Sequence, residues 1–348
     1  MARIAVIPGD GIGTEVLEQG VRVLEHLAAR EGLDFDWNWL PYGADRFLET
    51  GVSITDAEMQ ALASDHDAIY LGALGDPRVK SNQHAKDILL GMRFQLDLFI
   101  NLRPCKLLDP RYCPLKDKGP EDLSFTVFRE NTEGLYTGVG GQFKRGTADE
   151  VAIEAELNTR KGVERIVRAA YAFADERGLG RVCMSDKSNA MRHGHDLWQR
   201  VWKEVAAEYP AIESRHLYVD ALCMELVRAP EAFDVIVTNN LFGDIVTDLG
   251  AQLQGGIGLA ASGNLHPGKV AMFEPVHGSA PTIAGQGIAN PLAAVLSAGM
   301  MVGWLGRPDL EARLEAAVGQ CLQSGRVTRE LGGELTTTQA ADAVISYL

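Results

Sequence analysis

Arg3-Ile4-Ala5-Val6-Ile7-Pro8-Gly9-Asp10-Gly11-Ile12-Gly13-Thr14 opens the chain, and its reading decides the fold class. After Arg3 the run to Pro8 is apolar and rich in β-branched residues, the make-up of a buried strand, and the glycines then break it. From Thr14 onward Leu17, Val21, Leu24 and Ala28 recur at helical spacing. Strand, glycine turn, helix is therefore the first unit. The third glycine arrives one residue too early for G-x-G-x-x-G, so a tight turn is expected here, with any nucleotide bound elsewhere. The alternation continues outward. Strands are predicted at 67–71, 124–128, 181–185 and 233–238, and helices at 84–99, 159–177, 196–209 and 241–254. Three more helices follow Asn290-Pro291, Pro308 and Thr336. Strands alternating with helices predict an α/β fold, and no repeat or low-complexity linker interrupts it.

With 348 residues, the chain is long enough for two lobes of the usual ~100–200 residues. Its net charge of −14 argues against general affinity for nucleic acid or an anionic membrane, while leaving a small anionic substrate to local charge. Cys105, Cys113, Cys183, Cys223 and Cys321 are scattered and form no CxxC pair, as expected of cytosolic thiols. No basic n-region precedes the first apolar run, and the apolar stretch 292–305 is shorter than the ~20 residues that span a bilayer. A cytoplasmic protein is expected.

Arg93, Arg103 and Arg129 offer three guanidinium forks, each matched to a carboxylate by two parallel hydrogen bonds. Leu89 lies one turn before Arg93 with Leu90 beside it, a face suited to a ligand acidic at one end and branched and apolar at the other. Asp244 and Asp248, spaced i, i+4, place two carboxylates on one helix face, where their repulsion favours a bound cation. Oxygen ligands point to Mg²⁺ or Mn²⁺, with Asp220 as a possible third carboxylate. Lys187 follows a predicted strand and is a candidate base; Tyr136 is a candidate proton donor. The loop His277-Gly278-Ser279-Ala280-Pro281-Thr282-Ile283-Ala284-Gly285, continuing to Asn290-Pro291, is rich in small residues that let backbone amides approach a phosphate or adenosine.

Together these motifs resemble those of the β-decarboxylating dehydrogenases, the isopropylmalate, isocitrate, homoisocitrate and tartrate/malate enzymes, over essentially the whole chain. The resemblance implies a two-lobed α/β homodimer with shared active sites and a non-Rossmann nucleotide site. A nucleotide-binding lobe would comprise residues 1–98 plus 251–348, and a dimerisation and substrate/metal lobe residues 99–250. It also implies that Arg93, Arg103 and Arg129 bind the malate carboxylates and that Asp244 and Asp248 hold the cation with Asp220 of a second subunit. Lys187, also from that subunit, would be the base for the C2 hydroxyl, and Tyr136 the acid that protonates the enolate. Residues 277–285 with Asn290 would bind adenosine, and Leu71 to Asp76, with Gly72 and Gly75, would lie near the nicotinamide.

Within this family, Leu89 and Leu90 match the residues that contact the isopropyl group in the isopropylmalate branch. Isocitrate enzymes commonly place Ser and Asn there. A third carboxylate against two leucines would strand a buried charge. The expected reaction is oxidative decarboxylation of 3-isopropylmalate to 4-methyl-2-oxopentanoate and CO₂ with NAD reduction, in leucine biosynthesis. Against it, Glu130-Asn131-Thr132-Glu133-Gly134 is worded as in the isocitrate, homoisocitrate and tartrate branches, and Ala190 stands where a valine often closes the apolar pocket. Thr282 replaces an aspartate common among NAD users, so discrimination against NADP is expected to be weak. Lys86 falls near a position often acidic, with Asp87 beside it. A non-catalytic regulatory subunit would be expected to lose the metal or base residues, which this chain keeps.

Overall fold

The computed structural model describes residues 1–348 and divides into two compact units. Residues 1–98, 106–120 and 251–348 form the first, and residues 99–105 and 121–250 the second. The segment 106–120 thus groups with the terminal residues, although a single boundary near residue 99 was expected.

In the first unit, strands β1 (Ala2–Gly9), β2 (Phe35–Trp39), β3 (Ala68–Ala73), β11 (Ala261–Leu265) and β12 (Ala271–Pro275) lie in the order β2-β1-β3-β12-β11. All pairs are parallel except β11–β12. The opening strand pairs Ile4 with Ala68 and Val6 with Tyr70. Its alternate residues Ala5 and Ile7 enter a core with Ile69, Leu71, Ile88 and Met92, each full burial of a large aliphatic side chain contributing roughly 1.5–3 kcal/mol. Helices α1 (Gly13–Glu31), α2 (Ala44–Thr50), α3 (Asp56–Ser64), α10 (Leu292–Trp304), α11 (Pro308–Ser324) and α12 (Thr337–Ile345) complete this unit, with two short helical pieces described below. Gly20 leaves room for Tyr70, whose hydroxyl donates to the Ala294 carbonyl of α10 at 2.7 Å; a Cβ at residue 20 would strike that hydroxyl. The long apolar run is α10, buried on every side, and no helix is long and apolar enough to cross a membrane.

The tight turn is present as expected. Gly9 and Gly11 have φ of 72° and 57°, and Cβ atoms there would collide with the carbonyl oxygens of Ala73 and Ser279. The glycines serve close approach of the chain to itself. The helix expected at 84–99 is shorter and broken: α4 (Gln83–Ala85), a π-helical turn (Lys86–Leu90) and α5 (Gly91–Gln95). Asp97 at φ 54° and the Leu98 N–H to Arg93 carbonyl bond (2.9 Å) close it. In the π turn the Gly91 N–H reaches the Lys86 carbonyl, one residue beyond the α spacing.

The second unit orders β4 (Ile100–Lys106), β5 (Ser124–Glu130), β10 (Val235–Thr238), β8 (Arg181–Asp186) and β9 (Glu213–Tyr218) as β4-β5-β10-β8-β9, with β5, β10, β8 and β9 mutually parallel. Its helices are α6 (Arg160–Glu176), α7 (Gly194–Ala206), α8 (Val219–Arg228) and α9 (Asn240–Leu253); β6 (Gly140–Phe143) and β7 (Val151–Glu154) form a separate antiparallel hairpin.

One cap gives a test of acid stability. Glu58 closes a capping box with Thr55 at the start of α3 and accepts from Arg46 through both oxygens at 2.8 Å. The Arg46 guanidinium holds its carboxyl down to about 2 from the ordinary 4.5. A carboxyl depressed on folding stabilises above its unfolded value, and that contribution is lost as pH falls from about 4.5 towards 2. Glu58→Gln keeps the cap geometry, so urea melts should show lower stability at pH 7 and parental stability at pH 2. An equal loss at both would contradict the assignment.

Candidate active site

Helix α9 organises the first cluster. Asn240, Asp244, Thr247 and Asp248 fall at i, i+4, i+7 and i+8, one face of the helix, opposite arginines delivered by β4 and β5. Arg129 is 1% exposed; its Nη1 donates to Asp244 Oδ1 at 2.5 Å, and Nε and Nη2 donate to Asn240 Oδ1 at 3.1 and 2.8 Å. Arg103 donates to Asn101 Oδ1 (2.7 Å) and Thr247 Oγ1 (2.6 Å), with a second nitrogen 3.4 Å from Asp244 Oδ1. The Tyr136 hydroxyl donates to Asp244 Oδ2 at 2.8 Å, and Arg129 lies over its ring. Gly243 is required, since a Cβ there would strike the Arg129 side chain. Two forks converge on one carboxylate, so an acidic ligand entering here would compete with Asp244 for them. Partial burial, followed by the negative charge of Asp244, pushes the Asp248 carboxyl up. A cation would relieve that cost, and the oxygen-only donors suit Mg²⁺ or Mn²⁺.

A second cluster in the same unit follows β8. Lys187 Nζ donates to Asp220 Oδ1 at 2.6 Å, Asp220 lying in the first turn of α8, and the ammonium sits over the Tyr218 ring. Lys187 holds the exposed Asp220 carboxyl below its usual range. Ala190 is exposed in the turn after Lys187, its N–H donating to the Lys187 carbonyl. Within one chain no group of three or more His, Cys, Asp or Glu side chains converges on a cation position, so Asp220 is not brought to Asp244 and Asp248.

In the first unit, Arg93 is buried and paired with Glu274 at 3.0 Å, which also accepts from Asn264 Nδ2 at 2.9 Å. Leu89 packs partly against the apolar core and Leu90 is half-buried; both ride on the π turn. Asp87 is engaged by Ser53 and Gln83, whereas Lys86 is exposed.

The 277–290 loop lines a cavity of about 380 Å³ with Ile12, His277, Gly278, Ala280, Ile283 and Asn290 among its walls. The Ile12 N–H donates to the Ser279 carbonyl (2.8 Å), so the glycine turn supports this loop. Pro281, Thr282 and Gly285 are exposed, and Ala284 is half-buried. Gly72 packs against the Pro8 carbonyl, and the Gly75 N–H (φ 137°) donates to Asp10 Oδ2 at 2.7 Å. Burial pushes the His277 imidazole down, keeping it neutral; with Nδ1 on the Gly278 carbonyl, Nε2 is left as an unpartnered acceptor. Asn290 Nδ2 is an unpartnered buried donor on the same cavity. An acceptor and a donor in an apolar cavity fit a heteroaromatic base such as adenine.

The family model for isocitrate/isopropylmalate dehydrogenase matches residues 3–344. The chain belongs to this isocitrate/isopropylmalate dehydrogenase family. Curated relatives include the 3-isopropylmalate dehydrogenase of Thermobifida fusca (strain YX), 48% identical over 98% of this chain and 96% of that protein. The 3-isopropylmalate dehydrogenase of Streptomyces coelicolor is 46% identical over 97% and 98%. Among solved structures, the isocitrate dehydrogenase from Methylococcus capsulatus superposes with a TM-score of 0.90 at 35% identity, covering 100% of this chain and 99% of that one. The TT0538 protein from Thermus thermophilus gives 0.86 at 35% identity, over 99% and 68%. A solved isocitrate dehydrogenase of the family thus shares this fold over the whole chain.

Several polar residues of this family member escaped the sequence reading. Asn240 and Thr247 were legible, lying on the Asp244 face of a predicted helix. Glu274, His195 and Glu156 were not, because the side chains that pair, Glu274 with Arg93 and His195 with Glu156, are distant in sequence.

Proposed function

We propose that this family member oxidises and decarboxylates 3-isopropylmalate to 4-methyl-2-oxopentanoate and CO₂, reducing NAD, as a step of leucine biosynthesis. The observation that carries the reading is the Leu89-Leu90 pair, half-buried and one turn before Arg93. The curated 3-isopropylmalate dehydrogenases at 46–48% identity support it. The reading assigns carboxylate binding to Arg93, Arg103 and Arg129 and alkyl contact to Leu89 and Leu90. Burying the three carbons of an isopropyl group contributes about 2 kcal/mol at ~0.8 per carbon.

Lys187 takes the C2 hydroxyl proton, and Tyr136 returns a proton to C3 after CO₂ leaves. When bound, the nicotinamide supplies a hydride acceptor for C2 and the divalent cation supplies positive charge beside the enolate. Asp244 and Asp248 would hold the cation, with Asp220 from a second subunit. His277 and Asn290 would hold the adenine, and Gly72 and Gly75 would leave space near the nicotinamide.

A homodimer with shared sites is supported by the surface that carries these residues. Asp220, Met224 and Val227 form an i, i+4, i+7 stripe on α8, with Met224 72% exposed, and Ile245 is 53% exposed between Asp244 and Asp248 on α9. Apolar side chains interleaved with the proposed ligands favour a second copy as their cover. A cytoplasmic setting agrees with five free thiols, of which Cys105, Cys183 and Cys321 are buried and pushed up to about 12, 11 and 11.

The test is a kinetic panel of 3-isopropylmalate, isocitrate, homoisocitrate, D-malate and tartrate, each with NAD and NADP. The expected kcat/KM favours 3-isopropylmalate over isocitrate by at least about 10²-fold, since the leucine wall gains alkyl contact and rejects a carboxylate. NAD is preferred, with Thr282 giving weak discrimination. A tricarboxylate preference would overturn the substrate.

A further inference from the structure

The buried His195 lies outside both clusters yet touches the backbone of the proposed base. The Lys187 N–H donates to His195 Nδ1 at 2.7 Å. An imidazole nitrogen that accepts carries no proton, so the ring is the Nε2–H tautomer, and Nε2 lies 3.1 Å from Glu156 Oε2. His195 has no exposed surface and the Glu156 side chain only 7%. Asn239 Nδ2 donates to Glu156 Oε1 at 2.6 Å, while Asn239 Oδ1 accepts from the Phe242 N–H at the start of α9. One carboxylate thus holds both the imidazole beneath Lys187 and the cap of the helix that carries Asp244 and Asp248.

We propose that Glu156 and His195 are a positioning pair that fixes the Lys187 backbone and so aims its side-chain nitrogen during oxidation. The proposal rests on the reading of Lys187 as the base. Three other features point the same way. The turn from Lys187 is closed by Ala190 N–H and Met191 N–H on the Lys187 carbonyl, and His195 N–H donates to the Met191 carbonyl. His195 therefore grips the turn from both ends. The Phe242 ring meets the imidazole edge-on, fixing its plane. Neither His195 nor Glu156 contacts the Lys187 ammonium, which pairs with Asp220, so their influence passes through the backbone.

The test uses the full-length protein with its cation and cofactor. His195→Phe fills the space but removes the acceptor, and should lower kcat by about 10- to 100-fold. KM for the hydroxy acid should stay within about 3-fold, as expected when orientation rather than binding is lost. His195→Asn, which can present an amide oxygen near the Nδ1 position, should recover most of the rate. In a Lys187→Met background, His195→Phe should change the residual rate by less than about 2-fold, because the group it positions is gone. Hydrogen exchange at the Lys187 amide should quicken in His195→Phe and not in His195→Asn. An unchanged kcat, an equal fold loss in both backgrounds, or undiminished amide protection would each overturn the proposal. Should the phenylalanine variant fail to fold, Glu156→Gln carries the same comparison. Parental turnover by Lys187→Met would instead sink the base assignment, leaving amide exchange to decide whether the pair holds the turn.

Discussion

Lys187→Met is expected to lower kcat by about 10³-fold while leaving assembly and melting temperature near those of the parent. Methionine keeps the length and apolar stem of the side chain and removes its proton-accepting nitrogen. Little stability of the single chain is at stake, because Asp220 is 66% exposed there and ion pairs with an exposed partner contribute little. The loss should fall on oxidation and not on binding, since Lys187 is assigned no contact with the substrate carboxylates. Supplying the β-keto acid bypasses the step, so its decarboxylation by Lys187→Met should be much less affected. Tyr136→Phe should show the reverse partition, impairing protonation after decarboxylation. Rates of NADH formation and keto-acid consumption, with mass by sedimentation, check both. Parental NADH formation by Lys187→Met would remove the assigned base.

The sequence was most legible where a backbone requirement or a steady period dictated the residue. β1, its glycine turn and α1 could be read because Gly9 and Gly11 are needed at positive φ and α1 keeps its apolar stripe. Helix α6 begins at Arg160 behind its Thr159 cap, beside the expected start. The π turn at Lys86–Leu90 was illegible, because one extra residue per turn shifts the period without leaving a composition mark. The β6–β7 hairpin was missed for a different reason. Phe143, Val151 and Ile153 are exposed, so no alternation between core and solvent marks it as a strand pair. At the site, carboxylates and arginines could be read by residue type and spacing. Their partners could not: Glu274 meets Arg93 across 181 residues, a pairing visible only after folding.

Asp248→Asn should separate stability from function, with opposite signs. The Asp248 carboxyl is raised on folding by partial burial and then by Asp244, with Arg103 and Arg129 offsetting part of the cost. A carboxyl raised on folding contributes fully below its unfolded value, and that contribution is lost as pH rises through the folded value. At neutral pH the ionised Asp248 therefore weighs against the folded chain. Without a divalent ion, the asparagine variant should melt no lower than the parent, and slightly higher at low salt. Solvent exposure of Asp248 keeps that gain small. Adding Mg²⁺ or Mn²⁺ reverses the order. A ligand at 100 times its Kd stabilises by about 2.7 kcal/mol, a gain the parent should show and the variant largely lose. Turnover should fall by at least about 10²-fold, the scale of losing one stabiliser of developing charge. Melts with and without chelator, at low and high salt, together with turnover, read all three effects. A variant that melts well below the ion-free parent would mean that Asp248 is a structural partner within the fold, and the carboxylate pair on α9 would then lose its claim to the cation.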